Sequence, residues 1–441
     1  MPLAFPPPLQ TIITRFKPDV VHASSPGILA AVAGVYCALR AQERVACVLS
    51  YHTHLPNYMR SYMPKHVPFM RSLAEEMAWA LIRATHSLAD LTLTTSTQLR
   101  DELLAHDVIM NAEHASSSSE ETEGNEEETG GDSTRKRKRI AVWQRGVDTD
   151  VFNPRWRSQD AREMLISAGD QEQQDNDETQ SEDARKNQLL MLYVGRLGAE
   201  KKVALLRDVL DELDAMPGGD GARLAIVGDG PDRSRLEKHF APCGDRVVFT
   251  GLLQGEALSS AYASADVFVM PSESETLGFV VLESMASGVP VVAARAGGIP
   301  DIITNDDSSS DAVNGLMCTP GDANEFARNI LALRHGSPLR DTVAANARQE
   351  VERWGWAAAT QRLHDEQYEA AIANARTRRQ APIGLRLRRL GALVLFTPPM
   401  LLLMIMRFIA LVLESLQRKR PSSSSVDNED VKGSTTASAA P

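Results

Sequence analysis

Asp266-Val267-Phe268-Val269-Met270-Pro271-Ser272-Glu273-Ser274-Glu275-Thr276-Leu277-Gly278 runs without a break into Phe279-Val280-Val281-Leu282-Glu283. Residues 267–270 are apolar at every position, and a proline, serines and a glycine then end the run. Helical apolar spacing takes over at 279–285. A strand apolar at every position is buried on both faces, which is the situation inside a parallel sheet covered by helices. The loop 271–278 therefore stands at the carboxyl end of a buried strand, where open α/β sheets hold their ligands. It also opens a helix, whose free N–H groups and positive dipole end suit a phosphate.

The same alternation repeats outward from that loop. Apolar runs at 189–194, 224–227, 247–250 and 291–294 alternate with helical spacings at 205–213, 232–240 and 256–263. Residues 189–355 thus predict a doubly wound α/β domain. Residues 19–22, 45–51 and 91–94 read as further buried strands, with helices at 27–39 and 69–88, so residues 1–155 predict a second parallel sheet.

Four other strand ends carry candidate chemistry. Gly195-Arg196-Leu197-Gly198-Ala199-Glu200-Lys201 follows the run 189–194. Its glycines let the backbone approach a ligand, and Arg196 and Lys201 can clamp a diphosphate, the first in bidentate fashion and the second as a point charge. Glu275 just before the helix and Glu283 about a turn inside it can accept hydrogen bonds from sugar hydroxyls in the same cleft. Gly228-Asp229-Gly230-Pro231 reads as a tight turn, and Ala296-Gly297-Gly298-Ile299-Pro300 as another glycine-rich strand end beside the cleft. In the first half, His52 and His54 follow the run 45–51 without a third ligand, so a hydrogen bond to substrate is expected there rather than a metal site.

Of the 441 residues 43% are hydrophobic, which supplies two cores at roughly 100–200 residues per domain. The net charge of -11 argues against a nucleic-acid-binding surface. Cys37, Cys47, Cys243 and Cys318 form neither a C-x-x-C pair nor a zinc-ligand set and read as buried free thiols. Residues 111–138 are rich in Ser, Glu and Gly and read as a disordered insertion, with the basic run Arg135-Lys136-Arg137-Lys138-Arg139 as part of a solvated loop. Residues 156–188 read as an acidic linker. The first residues lack the basic start and apolar run of a targeting peptide. Arg376, Arg378, Arg379, Arg386, Arg388 and Arg389 precede the apolar stretch 390–413, which Pro398-Pro399 and Arg407 interrupt. About 20 apolar residues span a bilayer, so a membrane-associated segment is expected over 376–420, with contact through 376–415, either spanning or re-entrant. Residues 421–441 read as a disordered tail.

Gly195-Arg196, Glu200-Lys201 and the Glu275-x7-Glu283 pair, taken in order, resemble the family-4 retaining glycosyltransferases of GT-B fold. Ser50-Tyr51-His52-Thr53-His54, His22-Ala23-Ser24-Ser25-Pro26-Gly27 and the runs 266–278 and 293–303 are similar to the plant and cyanobacterial sulfoquinovosyl diacylglycerol synthases. The resemblance covers roughly residues 16–375 apart from the two acidic insertions. It implies two Rossmann-like domains with the active site between them, and last helices, 356–375, that cross back over the first domain. It implies a donor-binding set of Arg196 and Lys201 on the diphosphate, Glu283 on the ribose, Glu275 on the sugar, and main-chain N–H groups of Thr276, Leu277 and Gly278 on phosphate and sugar. His54 matches the histidine near the transferred sugar, so His54 and Glu275 are the catalytic candidates.

The implied reaction moves sulfoquinovose from a UDP-sugar to diacylglycerol with retention, with no cofactor or metal, at a plastid membrane. Arg60 or Lys65 would be the cationic partners of a sulfonate. The family begins its first domain with a strand and a glycine-rich loop ahead of the match to Phe16, so the N-terminal domain is expected to be incomplete and the chain to be a fragment or to start late. Two alternatives stand beside this reading. One is a transferase using UDP-glucose or GDP-mannose on another lipid, and the other is an inactive membrane-tethered scaffold.

Overall fold

The computed structural model describes residues 15–25, 27–39, 45–63, 68–108, 139–143, 146–167, 188–304, 313–334 and 336–379. Its strands form two sheets in which every pairing is parallel. The first holds β1 (Val20–Ser25), β2 (Ala46–Tyr51), β3 (Leu91–Thr94) and β4 (Ile140–Val142), side by side in chain order. Helices α1 (Ile28–Leu39), α2 (Leu55–Tyr62), α3 (Pro68–His86) and α4 (Thr97–Ala105) accompany it.

Helix α5 (Gln159–Ser167) leads to the second sheet, made of β5 (Leu190–Val194), β6 (Arg223–Val227), β7 (Val247–Gly251), β8 (Val267–Met270), β9 (Val291–Ala294) and β10 (Leu316–Cys318). Its helices are α6 (Leu205–Asp214), α7 (Arg233–Phe240), α8 (Gly255–Ser264), α9 (Phe279–Ala286), α10 (Ala323–Ala332) and α11 (Pro338–Arg353). The spatial order is β10-β9-β8-β5-β6-β7. The chain therefore builds outward from β5 through β6 to β7, then returns to the other side of β5 and builds β8, β9 and β10. Between β5 and β8 the direction of winding reverses, and there a crevice opens at the carboxyl ends of the strands.

The apolar runs behave as their composition requires. β5, β6, β8 and β9 are buried at every position. Helix α6 turns Leu206, Val209, Leu210 and Leu213 inward, an i, i+3, i+4, i+7 stripe. One polar anchor sits inside this core. Asp266, fully buried at the start of β8, accepts from the Leu190 N–H at 2.8 Å and from the Arg162 guanidinium at 2.8 Å, which pins α5 to the base of the sheet. All four cysteines are buried free thiols.

After α11 the chain returns to the first sheet. Helix α12 (Trp356–Arg362), a π-helical turn (Leu363–Tyr368) and α13 (Glu369–Arg379) lay Leu363, Ala371 and Ala375 on Ala46, Val48, Leu91 and Leu93. The Trp143 indole donates to the Ala359 carbonyl at 3.1 Å, and Tyr368 hydroxyl and His22 Nδ1 meet at 3.0 Å.

Four expectations change. β1 was expected to be buried, but five of its six residues are partly or fully exposed because among the described residues it pairs on one side only, with β2. β4 and β10, three residues each, went unread because so short a run has no periodicity of its own, and the neighbouring strand supplies the pairing. The basic start of the expected membrane segment is part of α13, where the Arg378 guanidinium lies 3.1 Å from the buried Asp90 carboxylate, which also accepts from the Cys47 N–H. That arginine serves the packing of α13 on the sheet rather than a lipid surface. Residues 380–420 of that segment, the insertion 111–138, residues 168–187 of the expected linker 156–188 and the tail 421–441 lie outside the described residues, as does Lys65. Residues 159–167 of that linker instead form α5, whose Leu165 and Ile166 are buried in the core of the second sheet. Among the described residues no helix is long and apolar enough to cross a membrane.

Candidate active site

At the switch point β5 leads into a single 3-10 turn, Ala199–Lys201, and β8 leads into the loop 271–278. These two excursions meet. The Lys201 ammonium pairs with the Glu275 carboxylate, and both side chains are largely buried, 19% and 13% exposed. Next to them Lys202 Nζ lies 3.8 Å from Glu273. The loop after β9 braces the pair from behind. The Gly298 N–H donates to the Glu275 carbonyl at 2.8 Å, and a Cβ on Gly297, whose φ is +62°, would collide with the Glu275 main chain. Gly278, at φ +85°, makes the left-handed turn that starts α9. Below the pair stands Tyr193 of β5. Burial first, then the Glu275 and Glu200 carboxylates, push its phenol well above the usual range.

The opposite wall comes from the first sheet. His54 Nδ1 accepts the Asn57 N–H at 3.2 Å and so caps α2, while Nε2 lies 2.7 Å from Glu102 Oε1 on α4. A ring whose Nδ1 accepts carries its hydrogen on Nε2 and donates it to Glu102. The ring stands edge-on to Trp79 at 5.8 Å. The two walls enclose a cavity of about 480 Å³ lined by His52, His54, Lys201, Glu275 and Thr276 among others. Thr95 on the first sheet donates its hydroxyl to the Thr276 carbonyl at 2.7 Å, and Asp301 accepts from the Thr97 main chain and hydroxyl, so the two halves touch at the cavity's edge.

Four of the sequence-derived residues, His54, Lys201, Glu275 and Thr276, thus line one cavity. Four others stand beside it. Arg196 is half-exposed and 3.9 Å from Glu200. Leu277 is buried among apolar neighbours and Gly278 holds a backbone position, so each can offer only its main chain. Glu283 lies on α9 behind the loop, where its Oε2 accepts from the Tyr262 hydroxyl at 2.8 Å. Burial raises the Glu283 carboxyl pKa, and the Tyr262 hydrogen bond lowers it in part.

The family description "Glycosyl transferases group 1" matches residues 174–350, and "Glycosyltransferase Family 4" matches residues 1–112. The sulfoquinovosyl transferase SQD2 of Arabidopsis thaliana is 41% identical over 370 residues, 84% of this chain and 60% of the relative. The two family matches fall on the two sheets, and with this relative they support a glycosyltransferase of GT-B fold. A GDP-mannose-dependent alpha-mannosyltransferase of Mycolicibacterium smegmatis is 34% identical over 306 residues, 69% of this chain and 63% of the relative. The chain spans about three fifths of the length of these curated relatives. Among solved structures, sucrose-phosphate synthase from Thermosynechococcus elongatus superposes with a TM-score of 0.56 at 21% identity, covering 83% of this chain and 76% of that one. HepE from Anabaena, solved with UDP and glucose, gives a TM-score of 0.54 at 19% identity, covering 81% and 80%. Both likenesses concern the fold.

Sequence reading of this chain missed Tyr262, Glu102 and Asp301. Tyr262 and Glu102 lie on helices distant in sequence from the groups they hold, and no local spacing joins them. Asp301 was inside the quoted run 293–303, yet its partner Thr97 is 204 residues away.

Proposed function

We propose that this chain transfers sulfoquinovose from UDP-sulfoquinovose to diacylglycerol with retention of configuration, at a plastid membrane. The carrying observation is the likeness to SQD2 over 84% of the chain. The Lys201–Glu275 pair at the mouth of the switch-point crevice gives that reading a place for the chemistry. In it Lys201 and Arg196 neutralise the donor diphosphate, Glu283 holds the ribose, and the N–H groups of Thr276 to Gly278 meet phosphate at the start of α9. Glu275, released from Lys201 as the diphosphate takes over that cation, orients the sugar. His54 lies across the cavity with its ring positioned by Asn57 and Glu102, and it meets the sugar by exchanging its Nε2–H bond to Glu102 for one to a sugar hydroxyl. The rate then comes from positioning and from stabilising charge on the departing UDP. The acceptor enters from the face that the UDP leaves.

The likeness to GDP-mannose-dependent enzymes supports a second reading, with a different donor on the same frame. One assay separates the two. The chain is offered UDP-sulfoquinovose, UDP-glucose and GDP-mannose with diacylglycerol, beside Lys201→Ala and Glu283→Ala. Sulfolipid as the main product, lost about 100-fold or more in either variant, is expected. A product from another donor would sink the sulfoquinovose assignment, and equal activity in the variants would sink the site.

A further inference from the structure

The wall of the cavity that faces Lys201 and Glu275 carries a positive charge that the donor-binding set does not use. On the second-sheet side Glu275 is matched by Lys201 and Glu273 by Lys202. On the first-sheet side Glu102 is engaged by His54. Arg60, in the last turn of α2, and Arg71, in the first turn of α3, line the same cavity. Neither has a carboxylate of the cavity lining as its partner among the described residues. Arg60 reaches Glu75, outside the lining, at 3.4 Å with its side chain 54% exposed, a pair worth little in water. Arg71 donates its Nε to the Arg60 carbonyl at 3.3 Å, which ties the two residues together.

The helix ends sharpen the point. A cation in the last turn of α2 is favoured by the helix dipole, but one in the first turn of α3 is opposed by it. Arg71 is therefore placed against the local electrostatics of its own helix, on the cavity wall opposite the Lys201–Glu275 pair. Paired guanidinium groups suit a tetrahedral oxyanion, which they can grip through several parallel N–H bonds.

We propose that Arg60 and Arg71 form a subsite for an anionic substituent of the sugar being transferred, with a sulfonate as its ligand. This rests on the sugar-transfer reading above and adds to it the residues that choose the sugar. The diphosphate and the sulfonate are then held at opposite walls, so an uncharged hexose fills the cavity without satisfying the arginines.

Titration calorimetry on the full chain with UDP, UDP-glucose and UDP-sulfoquinovose tests this, using Arg60→Gln, Arg71→Gln, the double variant and Arg71→Lys. The double variant is expected to lose tenfold or more in affinity for UDP-sulfoquinovose, with UDP and UDP-glucose unchanged within twofold. Arg71→Lys should keep part of the affinity. Unchanged UDP binding shows in the same experiment that the variants are folded. Equal losses for all three ligands, or none for any, would overturn the subsite. A rise in KM for anionic lipid vesicles over neutral ones, with donor affinities unchanged, would give the arginines to the acceptor and overturn it as well. A wild-type chain that binds UDP-glucose as tightly as UDP-sulfoquinovose sinks the sulfoquinovose reading and the subsite with it. A wild-type preference that survives in the double variant sinks the subsite alone.

Discussion

Tyr262 and Glu283 show how one hydrogen bond sets the working state of a carboxylate. Burial favours the neutral acid and raises the Glu283 pKa, while the Tyr262 hydroxyl, 2.8 Å away, stabilises the ionised form. In the proposed donor site an ionised Glu283 would accept the ribose hydroxyls, whereas a protonated one has given up part of that capacity. Donor binding is therefore expected to strengthen as pH rises through the Glu283 pKa. Tyr262→Phe removes the stabilising donor, so the pKa rises further and the acid limb of the binding profile moves to higher pH. Measuring UDP affinity between pH 4 and 8 in both proteins checks the direction, and a limb that stays in place would separate Glu283 from the ribose. The sequence offered Glu283 as a hydrogen-bond acceptor without the tyrosine that holds it. A glutamate in an apolar helix can be solvated or functional, and the residue that decides lies on another helix, α8.

At the level of elements, α3 is tied to the first sheet by its last residue. His86 is fully buried, with Nδ1 3.0 Å from the Thr92 hydroxyl on β3 and Nε2 2.9 Å from the Ser25 hydroxyl on β1. Burial lowers its pKa to about 4. The folded state therefore binds fewer protons than the unfolded chain, whose histidine titrates near 6.5. Stability is retained above about pH 6.5 and lost as pH falls towards 4, by about 3 kcal/mol once the full gap is crossed. His86→Gln keeps hydrogen-bonding capacity without a titrating group. Its urea midpoint is expected to change less than that of the wild type between pH 7 and pH 4.5, and parallel behaviour of the two would refute the assignment. The helices that build the site have legible causes of the same local kind. Ser96 caps α4 by accepting from Leu99 N–H, and Pro56 stands at the start of α2.

Across the whole molecule, closure of the cavity depends on groups that join the two sheets. Asp301, beside the 297–298 glycine pair, presents its carboxylate to the first N–H of α4 and to the Thr97 hydroxyl, where the helix dipole also favours it. Thr95 adds its hydroxyl to the carbonyl of Thr276, in the loop that carries Glu275. Asp301→Ala removes the charged half of this clasp. A larger radius of gyration by small-angle scattering is expected, with kcat/KM lowered about tenfold and UDP affinity little changed. An unchanged scattering profile with full activity would remove the clasp from the mechanism. The returning helices α12 and α13, held by Asp90–Arg378 and by the Trp143–Ala359 bond, give the first sheet a cover made by the far end of the described chain.

The sequence by itself determined β5 to β9 of the second sheet, the parallel arrangement and the loop that bears Glu275. Continuous apolar runs and the glycines between them are local signals, and a strand buried on both faces leaves little freedom of interpretation. Lys201 and Glu275 were both legible as polar groups at strand ends, but 74 residues separate them, and their contact exists because β5 and β8 are neighbours at the switch point. Tertiary structure alone decided that β1 pairs on one side only among the described residues, that Arg378 belongs to a buried ion pair, and that Tyr262 holds Glu283. It also brought Arg60 and Arg71 to the wall facing Lys201. Each of these depends on which surfaces face each other across the molecule, and local periodicity fixes the face of an element without fixing the neighbour it meets.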